Sequence, residues 1–236
     1  MTELKDSPGD FVTLYVEPSS FPDYIDGLSI DFKHTRYADE IKEAVNIKGI
    51  TQKAEGYKTG AAIFWEENEN KHIILPPFPI TENKVLIGKL DTSPLYKILK
   101  RKYIIGVVLV TWGSYSIGIF DGDNLVESKI GTGYIHKRHK KGGRSQKRFA
   151  RRTEEQKRDF LRRVSNRIEE KFKNYTLDYI FFGGNKLILK SLIKECEYLE
   201  SKANRISERI LDIRYADRKI LGHILEEITK SLVFTF

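Results

Sequence analysis

The 236-residue chain has a single cysteine, Cys196, so it can hold no internal disulfide and its fold must rest on packing. One cysteine also predicts a reducing compartment. Long apolar runs are missing too. The longest, IIGVVLV at 104–110, is far short of the ~20 residues that a bilayer-crossing helix needs. The opening MTELKDSPGDF is polar and acidic, which does not read as a secretory signal. These absences predict a cytoplasmic protein without a membrane partner. Internal repeats and low-complexity linkers are absent as well.

Acidic residues are missing from one place in particular. The stretch HKRHKKGGRSQKRFARR at 136–152 carries nine Lys or Arg and no Asp or Glu. The whole chain has 41 basic and 33 acidic residues, a net charge of +8. Outside this stretch the remaining 32 cations meet 33 acids, so the excess is focused rather than spread. Focused positive charge implies an anionic target. With 40% hydrophobic residues, 12 Tyr and 13 Phe, the rest of the chain has ample material for a core.

The order of patterns predicts two α/β domains, 1–98 and 99–236. In the first, FVTLYV (11–16), GAAIFWE (60–66), KHIIL and KVLIG (84–88) have the β-branched and aromatic content of strands. RYADEIKEAV (36–45) has helical spacing, and PPFPI (76–80) is a turn or extended connector. DTSPLYKILKRK (91–102) predicts a helix capped by Thr or Ser with proline in its first turn. In the second, YIIGVVLV, SYSIGIF and NLVESKI predict an antiparallel meander turning at WGS and DGDN. A helix over 145–172 follows, apolar at Phe160, Leu161, Val164, Ile168 and Phe172 and polar in its first half, which is expected to project. LDYIFFGG, NKLILKSLIKECEYL, RILDIRY and ADRKILGHILEEITKSL then alternate strand and helix. Three strands followed by this alternation predict a mixed sheet flanked by helices, as in ribonuclease-H-like folds.

Within the basic stretch, Gly142 and Gly143 permit backbone angles closed to other residues and let a partner approach closely. Cations on both sides attract phosphate. A polar helix behind would hold this tip away from the body. Ribosomal RNA is the expected target.

These residues carry a resemblance. GGRSQKRFAR is similar to the GGQSxxRFAR-type segment of archaeal and eukaryotic class I peptide release factors, preceded as there by a strand and a basic approach, GTGYIHKRHKKGG. In that family a Gly-Gly-Gln tip enters the peptidyl-transferase centre and promotes hydrolysis of the peptidyl-tRNA ester. The likeness covers about 103–236 as the family's middle domain; GAAIF, LPPFPI and KLDTSPLYKIL extend it weakly into the first domain. Without a gap, Arg144 stands where the release factors have glutamine, and Gln146 lies two positions later. Gly143-Arg144-Ser145-Gln146 is more similar to the Vms/Ankzf-type release factors, which free nascent chains from stalled large subunits. NIKG at 46–49 is similar to the codon-reading Asn-Ile-Lys-Ser motif, but the ten residues before GAAIF are too few for a codon reader's helical hairpin. No third domain remains for a partner GTPase. The eukaryotic relatives' zinc finger, ankyrin repeats and ATPase-binding segment have no counterpart.

The resemblance implies an aminoacyl-tRNA-hydrolase-class enzyme whose partners are the large ribosomal subunit, ribosomal RNA and peptidyl-tRNA, with no cofactor and no DNA. Gln146 would orient water at the ester carbonyl, Gly142 and Gly143 would give clearance, and Ser145 would help position the tip. Lys137, Arg138, Lys140, Lys141, Arg144, Lys147, Arg148, Arg151 and Arg152 would contact phosphate.

Other readings stand beside this one. A Pelota-type surveillance factor would bind ribosomes without hydrolysis, but those relatives lack the tip. A tRNA 3′-end endonuclease would need convergent carboxylates; Asp121 and Asp123 lie in a hairpin turn without a set around them. His136 and His139 have an H-x-x-H spacing, but the surrounding charge repels metal and no third ligand is evident. Ser145 lacks a nucleophile-elbow pattern or an orienting acid. GGN at 183–185 reads as a tight strand-to-helix turn rather than a phosphate loop, and Cys196 as a packed or half-exposed thiol.

Overall fold

The computed structural model describes residues 11–27, 35–66, 70–135 and 144–236, with the backbone alone at 35–36, 48 and 144–146. In chain order the strands are β1 (Val12–Val16), β2 (Ala61–Trp65), β3 (His72–Leu75), β4 (Lys84–Ile87), β5 (Ile104–Thr111), β6 (Ser114–Asp121), β7 (Asn124–Thr132), β8 (Tyr179–Gly184), β9 (Ile206–Leu211) and β10 (Leu232–Thr235). The helices are α1 (Asp23–Asp26), α2 (Thr35–Val45), α3 (Lys48–Tyr57), α4 (Ser93–Lys100), α5 (Arg144–Phe172), α6 (Lys186–Glu195), α7 (Glu197–Ser201) and α8 (Arg218–Ile228). The class is mixed α/β. The chain forms two compact units, one of residues up to Arg101 together with Thr229–Phe236, the other Lys102–Ile228.

The first unit is built on a wholly antiparallel sheet of order β10-β3-β2-β1-β4. Every residue of β1 is buried, so both faces of the sheet are covered. Val12, Leu14 and Val16 meet Tyr37, Ala38, Ile41, Ala44 and Val45 of α2, whose spacing makes a single apolar face. On the other face Tyr15 and Phe64 pack edge-on with centroids 6.0 Å apart, over Leu95 of α4. Thr13 and Tyr15 find partners for their hydroxyls. Thr13 Oγ1 donates to the Lys89 carbonyl at 2.9 Å, and the Tyr15 hydroxyl donates to the Asp91 carbonyl at 2.8 Å. Burial pushes the Tyr15 phenol well above its ordinary range.

Three sequence expectations gain detail here. Thr92 stands at the N-cap of α4 as expected but makes no side-chain cap bond; the preceding Asp91 supplies one, its Oδ1 accepting from the Ser93 amide at 3.0 Å. The ten residues after NIKG, too few for a helical hairpin, continue a single helix as far as Tyr57. Lys48–Tyr57 is helical throughout, so NIKG lies at the junction of two helices, and at roughly 1.5 Å per residue the second is about 15 Å long. Finally, the last residues do not stay with the domain predicted for 99–236. The expected helix over 216–232 is confined to Arg218–Ile228, and Leu232–Thr235 pairs antiparallel with His72–Leu75. Tyr57 ties this return down by donating to the Lys230 carbonyl at 3.1 Å, and Trp65 and Phe236 stack with centroids 5.6 Å apart.

The second unit holds a sheet of order β7-β6-β5-β8-β9, antiparallel through the meander and parallel from β5 to β8 to β9. Two-residue turns close the meander, Trp112-Gly113 between Thr111 and Ser114, and Gly122-Asp123 between Asp121 and Asn124. Gly113 at φ +95° and Gly122 at φ +55° take the left-handed conformations such turns demand. Helices cover both faces. Phe160, Val164, Ile168 and Phe172 of α5 pack with Ile188, Leu189 and Leu192 of α6 against Val108, Val110, Ile117 and Ile119. Gly106 lets the Phe172 ring close in; a Cβ there would lie 2.8 Å from it. On the opposite face Leu221 of α8 lies over Gly118.

The expected strand RILDIRY begins earlier, at Ile206, and stops at Leu211. Its Arg209 is buried and donates to the Ile228 and Glu227 carbonyls at 3.1 and 2.7 Å, so a cation closes the C-terminal end of α8. The helix expected over 185–199 breaks at Cys196, whose backbone is extended and whose thiol is buried.

The Lys84 ammonium, 2.9 Å from Asp91, is the main cause that holds that carboxyl below its ordinary value. A depressed carboxyl stabilises the fold above the unfolded pKa of about 3.9 and loses that contribution as pH falls through the folded value. Lys84→Met should therefore cost a few tenths to about 1 kcal/mol at pH 7. That difference should shrink toward pH 3 in urea unfolding curves.

Candidate nucleic-acid interface

The long helix α5 has two halves of opposite character. At roughly 1.5 Å per residue its 29 residues extend about 43 Å. From Phe160 onward it presents Phe160, Leu161, Val164, Ile168 and Phe172 to the core, each buried. From Lys147 to Asp159 no residue is buried. The polar half therefore has no buried residue of its own, and pairs run along its surface. Arg151 meets Glu155 at 3.1 Å and Lys157 meets Glu154 at 2.8 Å.

The chain reaches this helix through a narrow passage at the end of β7. The Gly133 amide donates to the Gly113 carbonyl at 2.9 Å, locking the end of the strand to the first hairpin turn. A Cβ on Gly133 would lie 2.7 Å from the Phe160 ring and 2.8 Å from the Arg163 guanidinium. One on Gly131 would stand 2.4 Å from the Tyr115 ring. Tyr115 and Phe160 contact edge-on at 6.1 Å, and Trp112 lies beside Phe160 at 6.3 Å. The Lys157 ammonium sits 5.1 Å from the centre of the Trp112 ring. These residues clamp the base of the helix where its buried half begins.

Gly142 and Gly143, with Lys137, Arg138, Lys140 and Lys141 and with His136 and His139, lie outside the described residues. Arg144, Ser145 and Gln146 form the first turn of α5, so their backbone is helical. Lys147, Arg148, Arg151 and Arg152 are all exposed on the unburied half, and Phe149 stands exposed among them. Lys147, Arg148 and Arg152 make no ion pair among the described residues. The Arg151–Glu155 pair is open to solvent on both sides and so contributes little.

The other sequence candidates resolve into structural parts. Gly184 at φ +123° passes so near Val110 that a Cβ would meet its carbonyl oxygen at 2.1 Å, and Asn185 Oδ1 accepts from the Leu187 amide at 2.9 Å. The GGN stretch is therefore a strand-to-helix turn whose helix start is served by its own asparagine. Asp121 and Asp123 flank the Gly122 turn. Among the described residues no three His, Cys, Asp or Glu side chains are placed to hold a metal ion. No described helix is long and apolar enough to cross a membrane. Sequence reasoning missed Trp112, Gly131 and Gly133 as parts of the clamp. Their signal was present in WGS and GTG, but a glycine that allows close approach and one that makes a turn look alike until the partner is known.

A family model described as Actinobacteria/chloroflexi VLRF1 release factor matches residues 104–233, more than half of the chain. The chain belongs to this release factor family. The VLRF1 match covers all of β5 through β9 and the whole of α5. Peptide chain release factor subunit 1 of Picrophilus torridus is 25% identical over 68% of this chain and 40% of its own length. That of Methanopyrus kandleri is 21% identical over 98% of this chain and 61% of its own. Eukaryotic peptide chain release factor subunit 1 of Stylonychia lemnae is 30% identical over 61% of this chain and 32% of its own. The chain spans about two fifths of the length of the first of these. Among solved structures, the archaeal translation termination factor aRF1 aligns over 97% of this chain and 68% of its own, at 17% identity and a TM-score of 0.44. Pelota of Archaeoglobus fulgidus aligns over 71% and 52% at 8% identity and a TM-score of 0.30.

If the passage needs bare backbone, Gly131→Ala should cost about 1–3 kcal/mol by overpacking against Tyr115. Gly56→Ala, at a helical position with nothing within 4 Å, should be neutral or slightly stabilising. Urea midpoints of the two variants measure the contrast.

Proposed function

We propose that this protein is a ribosome-directed peptidyl-tRNA hydrolase that frees nascent chains held on large ribosomal subunits. The observation that supports this most is the pairing of family with geometry: a release-factor-family chain whose basic helix is clamped at Phe160 and leaves the core N-terminal to it. Gln146 lies fourteen residues before that clamp, roughly 20 Å along a helix. That reach suits a narrow, anionic passage lined by RNA. Exposed Lys147, Arg148, Arg151 and Arg152 would travel along phosphates on the way.

In this reading Gln146 orients a water against the ester carbonyl, and backbone amides near it stabilise the developing oxyanion. A carboxamide does not accept a proton at neutral pH, so its role is positional; the proton passes to RNA hydroxyls or to water. Gly142 and Gly143 admit the ester closely, and Ser145 helps fix the tip. Ribosomal RNA and peptidyl-tRNA are the partners, with Lys137, Arg138, Lys140, Lys141 and Arg144 as further phosphate contacts. The cytoplasm is the compartment this activity requires.

The test uses large subunits carrying labelled peptidyl-tRNA. Wild type should yield free peptide and intact tRNA, while Gln146→Ala should sediment with subunits as before and release peptide about 100-fold more slowly. Arg148→Glu with Arg152→Glu should instead weaken sedimentation and flatten its dependence on salt. Release by Gln146→Ala at the wild-type rate removes the catalytic assignment. A tRNA shortened at its 3′ end would point to nuclease action in its place.

A further inference from the structure

The second unit contains a cavity of about 290 Å³ made from residues that the hydrolase reading does not use. It lies where the C-terminal end of α5 gives way to the loop leading into β8, facing α7 and the short 3₁₀ turn Ala203–Arg205. Lys173, Lys202 and Arg205 line it, together with Tyr175, Tyr198 and Leu177, and no acidic residue does. The three cations are exposed and make no ion pair among the described residues. The contrast with a neighbour is informative. Lys171, two residues before Lys173, is engaged by Glu127 at 2.6 Å. Lys171 is thus paired, with Glu170 also 3.7 Å away, whereas Lys173, Lys202 and Arg205 make no ion pair among the described residues.

The walls have a second chemistry. Tyr198 is half-buried, its ring held edge-on against Phe172 with centroids 6.4 Å apart, and burial pushes its phenol above the ordinary value. A ring fixed in this way offers a ready stacking surface at little entropic cost. Leu177 is buried beside it. Cations able to grip phosphate next to a fixed aromatic wall are the elements of nucleotide recognition. The volume, about 290 Å³, lies at the small end of ligand sites, in keeping with a single small ligand.

We propose that this cavity binds a single phosphorylated nucleotide, its base against Tyr198 and its phosphate on Lys173, Lys202 and Arg205. The nucleotide would come either free or as one unit of an RNA strand. The site stands on residues separate from 136–152 and holds whether or not the chain hydrolyses an ester.

Calorimetric titration at low salt, with 5′-AMP, inorganic phosphate and a five-nucleotide single-stranded RNA as probes, tests it on the full chain. The comparison is wild type against Lys202→Glu with Arg205→Glu, two exposed positions, with thermal unfolding to establish that the variant folds. A free-nucleotide site predicts that AMP binds at least tenfold more tightly than inorganic phosphate and that the double variant loses at least tenfold in AMP affinity. An RNA-strand site predicts weak AMP binding and the same tenfold loss for the oligonucleotide. That loss is attributable to the cavity because 136–152 is unaltered. Binding of AMP no tighter than phosphate, with oligonucleotide affinity equal in both proteins, overturns the proposal. So does the absence of binding by any probe.

Discussion

The second unit depends on how the last thirteen residues of one helix are held. Phe160, Leu161, Val164, Ile168 and Phe172 each leave water, and each such burial is worth about 1.5–3 kcal/mol. That packed segment is a helix already nucleated, and extension from a nucleus costs far less than initiation. The polar half can then propagate outward with no core of its own. Its residues are suited to this, since Arg, Lys, Glu, Gln and Ala are good helix formers. Pairs such as Arg151 with Glu155 add a few tenths of a kcal/mol each. A hydrophobic anchor thus sets the direction of a charged arm that could not order itself alone.

The clamp at the base of the arm explains why the meander precedes it. The hairpin turn at Trp112-Gly113 receives the strand end at Gly133, and the aromatic rings of Trp112, Tyr115 and Phe160 fill the space between them. Sheet and helix therefore share one small aromatic cluster. Any looseness there would be magnified along the arm by its length, so tight backbone contact at Gly131 and Gly133 is a requirement of lever geometry and not merely of packing density.

Much of this was legible in the sequence because period and punctuation agreed. The meander announced itself through WGS and DGDN, and the two halves of α5 through the four-residue recurrence that begins at Phe160. The misplacements have a common cause. RILDIRY and the stretch around Cys196 carry apolar residues that satisfy more than one register, and only contact with Ile180 and Phe182 decides where β9 begins. The strand character of the C-terminal LVFT went unread, with only Leu232 assigned to the preceding helix, because its partner, HIIL, is more than 150 residues away. The tip chemistry came from a motif whose glycines lie outside the described residues, so its geometry rests on the first helical turn alone. The cavity beside Tyr198 had no sequence signal at all. Its cations come from segments thirty residues apart, and only the fold juxtaposes them.

The pairing of β10 with β3 also orders events during synthesis. Strands β1 to β4 can associate once β4 has left the ribosomal tunnel, but β3 then presents an unpaired edge, a template for wrong association. That edge is sealed only when Leu232–Thr235 has emerged, after the whole second unit has been translated and has had time to collapse. The earliest-made sheet is therefore the last to be completed, and a nascent chain halted anywhere between the two strands remains open on that side.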